Sequence, residues 1–121
     1  MRKITIAIDG PAASGKSTVA KEVAKALNYI YIDSGAMYRA LTLKALRLNI
    51  DVKDEVSLVE MTKVSKISLD GVHIFLDDED VTDEIRSKEV TQIVSPLSSI
   101  VEVRNILVDI QRKIAQNKDV V

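Results

Sequence analysis

The chain has no cysteine in its 121 residues, which excludes a disulfide framework, a thiolate metal site and a catalytic thiol. Its single histidine, His73, leaves no room for a His-based constellation. His73 alternates with Ile74 and Leu76, a period that puts it on a solvent face. Tryptophan is absent and aromatics make up only 3% of the residues, so the core must be mostly aliphatic. The net charge of -1 gives no overall basic bias toward nucleic acid or membrane, although a local basic pocket is compatible with it. There is no apolar run long enough to span a bilayer. The N-terminus enters its first apolar run with no signal-peptide pattern, so the expected location is cytoplasmic. Internal repeats and low-complexity segments are also absent. What is present is 46% hydrophobic and 29% charged, the balance of a globular domain, and the length suits one domain.

Within that composition one stretch organises the rest. Gly10-Pro11-Ala12-Ala13-Ser14-Gly15-Lys16-Ser17 fits the phosphate-loop pattern G-x-x-x-x-G-K-[ST]. By average residue usage, a chain of this length matches the four fixed positions by chance about half a percent of the time. The context narrows it further. Ile4-Thr5-Ile6-Ala7-Ile8 before it reads as a buried strand, expected over Lys3 to Ile8. After it, Val19, Ala20, Val23, Ala24 and Leu27 share one face of a helix expected to end near Leu27. Glycines allow the backbone to approach a phosphate, and the N–H groups of the first helical turn point at it. Lys16 adds a mobile positive charge for the outer phosphates, and the Ser17 hydroxyl can ligate Mg²⁺.

Tyr29-Ile30-Tyr31-Ile32 is aromatic and β-branched, and reads as a second strand ending in the polar turn Asp33-Ser34-Gly35. Strand, helix and strand make a βαβ unit with parallel strands. Ligands in such sheets bind at the carboxyl ends of the strands, where Gly10 and Ser34 both fall. A second helix is expected over Ala36 to Leu48, with Met37, Leu41, Ala45 and Leu48 as its apolar positions. Arg39 lies in its first turn, against the helix dipole. That suits either an anion site or an ordinary surface arginine. Asn49 to Asp54 reads as a connection, with Asp54 or Ser57 capping a short helix through about Ser65.

The period then changes to two. Lys66-Ile67-Ser68-Leu69 and His73-Ile74-Phe75-Leu76 flank Asp70-Gly71-Val72, a strong hairpin signal. A third short strand is expected around Val81. The acidic run Asp77-Asp78-Glu79-Asp80 lacks the spacing of a calcium loop and reads as a solvated turn. From Ser87 the helical period returns through Val90, Ile93 and Val94 until Ser95-Pro96, which is expected to end that helix. Ser99-Ile100-Val101-Glu102 has the form of a capping box. The helix behind it is expected to run to about Asn117, with Val103, Ile106, Leu107, Ile110 and Ile114 as its stripe. Asp119-Val120-Val121 begins what reads as a further strand. Two core strands and the start of a third are a thin basis for a doubly wound sheet. The expectation is therefore the front part of a longer protein.

With the phosphate loop, Asp33-Ser34-Gly35-Ala36-Met37-Tyr38-Arg39, the Asp-Gly hairpin and Asp83-Glu84-Ile85-Arg86 in view, the chain resembles the bacterial cytidylate kinases over its whole length. The phosphate loop alone is shared widely. Ser-Gly-x-x-x-Arg narrows the likeness to monophosphate kinases, and the inserted hairpin narrows it again. The resemblance implies an α/β P-loop NTPase core with an inserted antiparallel and helical NMP-binding subdomain, C-terminally incomplete. The implied division is residues 1–60 as the N-terminal part of the core, 61–99 as the insert, and 100–121 returning to the core. The activity implied is transfer of the γ-phosphate of ATP to CMP or dCMP.

On the matching positions, Gly10, Pro11, Ala12, Ala13, Ser14, Gly15, Lys16, Ser17 and Thr18 would hold the ATP phosphates. Lys16 would act on the transferred group and Ser17 on Mg²⁺. Ser34 and Arg39 would contact the CMP phosphate, with Tyr38 beside them. Ser95 and Arg104 match the positions that read cytosine; on sequence alone they are a helix-end serine and a helix-surface arginine. Asp33 either approaches Mg²⁺ through water or caps the following helix. The expected partners are ATP and CMP or dCMP, with no nucleic acid or membrane, and the expected state is a monomer. The family's Gly-Arg-Asp segment and arginine-bearing lid have no counterpart in these 121 residues, so little or no kinase activity is expected of this length alone. A non-catalytic nucleotide-binding module is the alternative. A GTPase would need an Asn-Lys-x-Asp element whose spacing Asn117-Lys118-Asp119-Val120 does not have. Against a UMP or adenylate kinase stand the hairpin, Ser95 and Arg104.

Overall fold

The computed structural model describes residues 4–7, 16–70, 73–117 and 120. Five α-helices and one small sheet make up the described chain. In order they are α1 (Lys16–Leu27), α2 (Ser34–Arg47), α3 (Glu55–Val64), β1 (Ile67–Asp70), β2 (His73–Leu76), β3 (Glu79–Asp80), a 3-10 turn (Glu84–Arg86), α4 (Lys88–Ser98) and α5 (Val101–Asn117).

Among the described residues, the expected core strands are present only as single parallel bridges, and their order differs from a simple strand pair. Val120 bridges Thr5 on one side and Ile30 on the other. The Ile6 N–H donates to the Val120 carbonyl at 3.0 Å, and the Val120 N–H to the Ile4 carbonyl at 3.0 Å. The expected further strand at the end of the sequence therefore lies between the first two, with Val120 only 1% exposed. A strand that inserts between two others needs a long crossover on each side, which the intervening helices supply.

Both α1 and α2 stop at an asparagine in the left-handed region, Asn28 at φ 57° and Asn49 at φ 55°. In each case the next residue donates five back, Tyr29 to Ala24 at 2.8 Å and Ile50 to Ala45 at 2.9 Å. This Schellman geometry satisfies carbonyls that the helix end leaves orphaned. On α1 the apolar face is covered only in part. Ala20 and Ala24 are buried, whereas Val19 and Leu27 are about half exposed.

α2 starts two residues earlier than the period suggested, because Asp33 rather than the Ser34-Gly35 turn is its cap. The Asp33 carboxylate accepts the Ala36 N–H at 3.0 Å. Arg39 thus lies in the second turn, where the dipole opposes a cation less. Met37, Leu41 and Ala45 are buried as expected, but Leu48 sits past the helix end at 56% exposure. α2 packs against α4, β2, the 3-10 turn and α3, while α3 and α4 pack on α5. Residue 60 lies inside α3, so the expected division at 60/61 falls within a continuous helix.

The hairpin pairs antiparallel, Ile67 opposite Leu76 and Asp70 opposite His73. Gly71 and Val72 of the expected turn lie outside the described residues. Ile67, Ile74 and Leu76 face the core. The third strand is Glu79–Asp80, just before the expected Val81, which is itself fully buried and donates its N–H to the Ile74 carbonyl at 3.0 Å.

Two helix boundaries differ from expectation. α4 continues through Pro96 to Ser98. Proline costs one hydrogen bond in a last turn, and the buried Leu97 keeps that turn on the core. The capping box at Ser99 does not form: its hydroxyl donates back to the Pro96 carbonyl at 2.8 Å, and α5 opens at Val101. On α5, Val103 and Leu107 are buried and Ile106, Ile110 and Ile114 half-buried, as the stripe required.

Candidate functional site

The described part of the phosphate-loop motif is its end. α1 opens at Lys16, with Ser17 and an exposed Thr18 in its first turn, and Gly10 through Gly15 lie outside the described residues. Next to this helix is a cleft of about 400 Å³ lined by Lys21, Asp33, Gly35, Ala36, Arg39, Ile85 and Arg86. A smaller hollow of about 40 Å³ adjoins it and shares five of those residues. Its other lining includes Tyr31 and His73.

Arg39 is the best-held polar side chain here. Its Nη1 donates to the Ile85 carbonyl at 3.3 Å and to the Thr91 hydroxyl at 2.9 Å. These acceptors come from the 3-10 turn and α4, 46 and 52 residues away in sequence. The head is thus anchored by the 3-10 turn and α4, not solvated at random. Asp33 is a helix cap in this structure, one oxygen satisfying Ala36. It lines the same cleft with a hard oxygen donor, the chemistry Mg²⁺ prefers. Lys21 reaches over the Tyr31 ring, 5.8 Å from its centroid. No three acidic or histidine side chains gather to hold a metal ion among the described residues.

The remaining candidate residues are less close together. Ser34 is exposed in the first turn of α2, and Tyr38 is half-buried. The Tyr38 carbonyl accepts the buried Thr42 hydroxyl at 2.9 Å. Arg104 is exposed on α5 and does not line the cleft. Ser95 lies within α4, not at its end. Lys21 and Arg86 line the cleft although the sequence reading gave neither a role. Arg86 was visible only as part of the Asp83-to-Arg86 signature.

The acidic run proved to be a paired turn. Lys44 binds Asp77, Arg47 binds Glu79 through both guanidinium nitrogens at 3.0 and 2.9 Å, and Lys66 binds Asp78 at 2.9 Å. His73 meets Asp80 at 3.1 Å. Asp77 and Asp78 both have positive φ, 50° and 70°, a conformation aspartate tolerates better than most residues. Partial burial pushes the Asp77 carboxyl up, but Lys44 and the Lys66 N–H hold it below the usual carboxylate range. Hydrogen bonds from Arg47 and from Thr82 lower Glu79 and Asp80 in the same way. The turn therefore ties the hairpin to the C-terminal half of α2, the helix that carries Arg39.

An α/β chain whose phosphate-loop sequence opens α1, with a cationic cleft alongside and a small antiparallel sheet following, belongs to the nucleotide-phosphate-binding class. Comparison with known proteins narrows this. The family model described as cytidylate kinase matches residues 6–121, and the chain belongs to that family. A cytidylate kinase of Caldanaerobacter subterraneus subsp. tengcongensis is 60% identical over 118 residues, 98% of this chain and 53% of the relative. Those of Alkaliphilus oremlandii and Clostridioides difficile are 51% and 47% identical over 121 residues, all of this chain and 56% of each relative. The chain thus spans about half the length of the curated relatives it matches. The family implies a P-loop NTPase fold.

Proposed function

We propose that this chain carries the donor-loop and acceptor-binding part of an ATP-dependent kinase for CMP or dCMP. The observation that carries the reading is the anchoring of Arg39. An arginine held by Ile85 and Thr91 at the rim of a cleft beside α1 suits a nucleotide phosphate brought next to the phosphate loop. The segment after α3, up to residue 99, serves as the monophosphate-binding insert; its boundary is drawn at the end of α3 and not at 60/61, because that helix is continuous from Glu55 to Val64.

Phosphoryl transfer asks for positioning and charge stabilisation rather than covalent work. Gly10 to Thr18 bind the ATP phosphates, with Lys16 on the transferred group. Ser34 and Arg39 hold the acceptor phosphate, with Tyr38 beside it. Ser95 and Arg104 read the cytosine. The acceptor oxygen is ionised near neutral pH, so no histidine or cysteine base is required. Bringing the two phosphates into neighbouring anion sites supplies the proximity. Mg²⁺ would be held by the Ser17 hydroxyl, with Asp33 reaching it through water; when bound it offsets the phosphate charge.

Calorimetric titration of the full chain with CMP, UMP, AMP and ATP–Mg²⁺ tests this. The expected result is CMP binding that is tighter than UMP or AMP binding and that Ser34→Ala with Arg39→Ala abolishes. ATP binding without CMP binding, in folded protein, would reduce the reading to a nucleotide-binding module.

A further inference from the structure

The groove between α3 and α5 plays no part in the mechanism above and shares no lining residue with the cleft at Arg39. It measures about 170 Å³, with Val59 and Ile100 as a buried floor and Val56 on its edge. Val56 is 75% exposed, and Val101, between Ile100 and Glu102 in sequence, is 64% exposed. Nothing local accounts for these two valines. A β-branched residue on a solvated helix surface gains no burial and is a weaker helix former than alanine or lysine. Single exposed apolar residues are ordinary, but these adjoin an apolar hollow that two helices share.

The rim of the groove is acidic. Glu55, Glu60 and Glu102 line it with one cation, Lys63, and Lys63 already pairs with Glu60 at 3.4 Å. Among the described residues Glu55 and Glu102 form no ion pair. Their first-turn positions suit the helix dipoles, yet the dipole gives no reason for the valines beside them. The hollow is smaller than the roughly 300–1,000 Å³ of a small-molecule site. It suits a side chain or two from a helix laid in a groove. The unpaired carboxylates select the charge of that helix. They repel anionic lipid and nucleic acid, and a two-fold contact with a second copy would bring the same excess of carboxylates together. A segment with lysine or arginine beside its apolar stripe neutralises them.

We propose that the α3–α5 groove docks a basic amphipathic helix of a partner protein. Apolar anchors of that helix seat on Val56, Val59 and Ile100, and its cations meet Glu55 and Glu102. This role is independent of the nucleotide site.

The test is a fluorescence-anisotropy titration of the full chain against a labelled helical peptide with leucines on one stripe and lysines flanking it. One control peptide has glutamates in place of the lysines, and another has the same composition scrambled. The lysine peptide should bind at least about tenfold more tightly than either control, and its affinity should fall as salt rises. Val56→Ser should weaken it by about threefold or more. Glu55→Gln with Glu102→Gln should weaken it by about three- to tenfold. Melting curves of both variants should stay close to that of the parent chain, because all three side chains are exposed. Equal binding of the glutamate or scrambled peptide, no binding of the lysine peptide, or unchanged affinity in both variants overturns the proposal. A dimer in sedimentation equilibrium that Val56→Ser dissociates also overturns it, because the groove would then be an interface between copies of this chain.

Discussion

At the scale of the residue, the proposed function depends on how one guanidinium is held. Thr91 is exposed and contributes little to the core, but its hydroxyl accepts from Arg39 at 2.9 Å. Thr91→Val keeps the shape and removes the acceptor. CMP affinity should fall about three- to tenfold, less than the full worth of one hydrogen bond to a charged group, because the Ile85 carbonyl still accepts from the same guanidinium, with the melting temperature nearly unchanged. Thr91→Ser should restore affinity, and parallel titration and melting curves check both. A sequence reading had no access to this bond: threonine on a helix surface is ordinary, and its partner is 52 residues away. Asp33 is the opposite case. Its capping role depends on a residue three positions ahead, and the sequence already offered it as one of two alternatives.

At the scale of the element, the hairpin is fastened to α2 by charge. Asp77, Glu79 and Asp80 all have their carboxyls below the usual range, Asp77 through Lys44 and Lys66 against the pull of burial. A carboxyl lowered by folding holds fewer protons in the folded than in the unfolded state at acid pH. Its contribution is therefore fully present above the unfolded carboxylate range, around pH 4, and is lost as pH falls through that range toward the lower folded value. Melting temperature should be flat from pH 7 to about 5 and drop below about 4. Asp77→Asn should lower the plateau and shrink the acid drop. A drop of undiminished size in Asp77→Asn would place the acid-sensitive groups elsewhere. The hairpin itself was legible because an Asp-Gly between two alternating runs is a local signal. That its acidic turn would find Lys44, Arg47 and Lys66 was not, since exposed charges take partners only where the fold brings them.

At the scale of the whole molecule, α2 is the member that α3, β2, the 3-10 turn and α4 all pack against. Leu41 is fully buried on it, whereas Leu48 is 56% exposed just beyond its end. Leu41→Ala should cost about 2–5 kcal/mol of unfolding free energy, and Leu48→Ala should stay within about 0.5 kcal/mol. Urea denaturation of the two variants checks the contrast. Equal losses would mean that Leu48 also has a buried environment. Helical spacing put both leucines on one stripe, and the Asn49 turn is what takes Leu48 off the helix. The half-exposed Val19 and Leu27 teach the same lesson on α1. Periodicity reveals which face is apolar, while burial depends on what lies against that face.

The sequence by itself determined the features whose causes are local. These are the phosphate-loop pattern opening a helix, the helical stripes of α2 and α5, a cap at Asp54 or Ser57, the hairpin and the resemblance to cytidylate kinases. Each rests on residues within a turn or a strand of one another, where sterics and hydrogen bonding act at short range. Only the tertiary structure decided the placement of Val120 between Thr5 and Ile30, the continuation of α4 through Pro96, the anchoring of Arg39 by Ile85 and Thr91, and the meeting of Arg39, Arg86 and Lys21 at one cleft. Those outcomes balance desolvation, packing and charge among segments far apart in the chain, and no single stretch of sequence contains that balance.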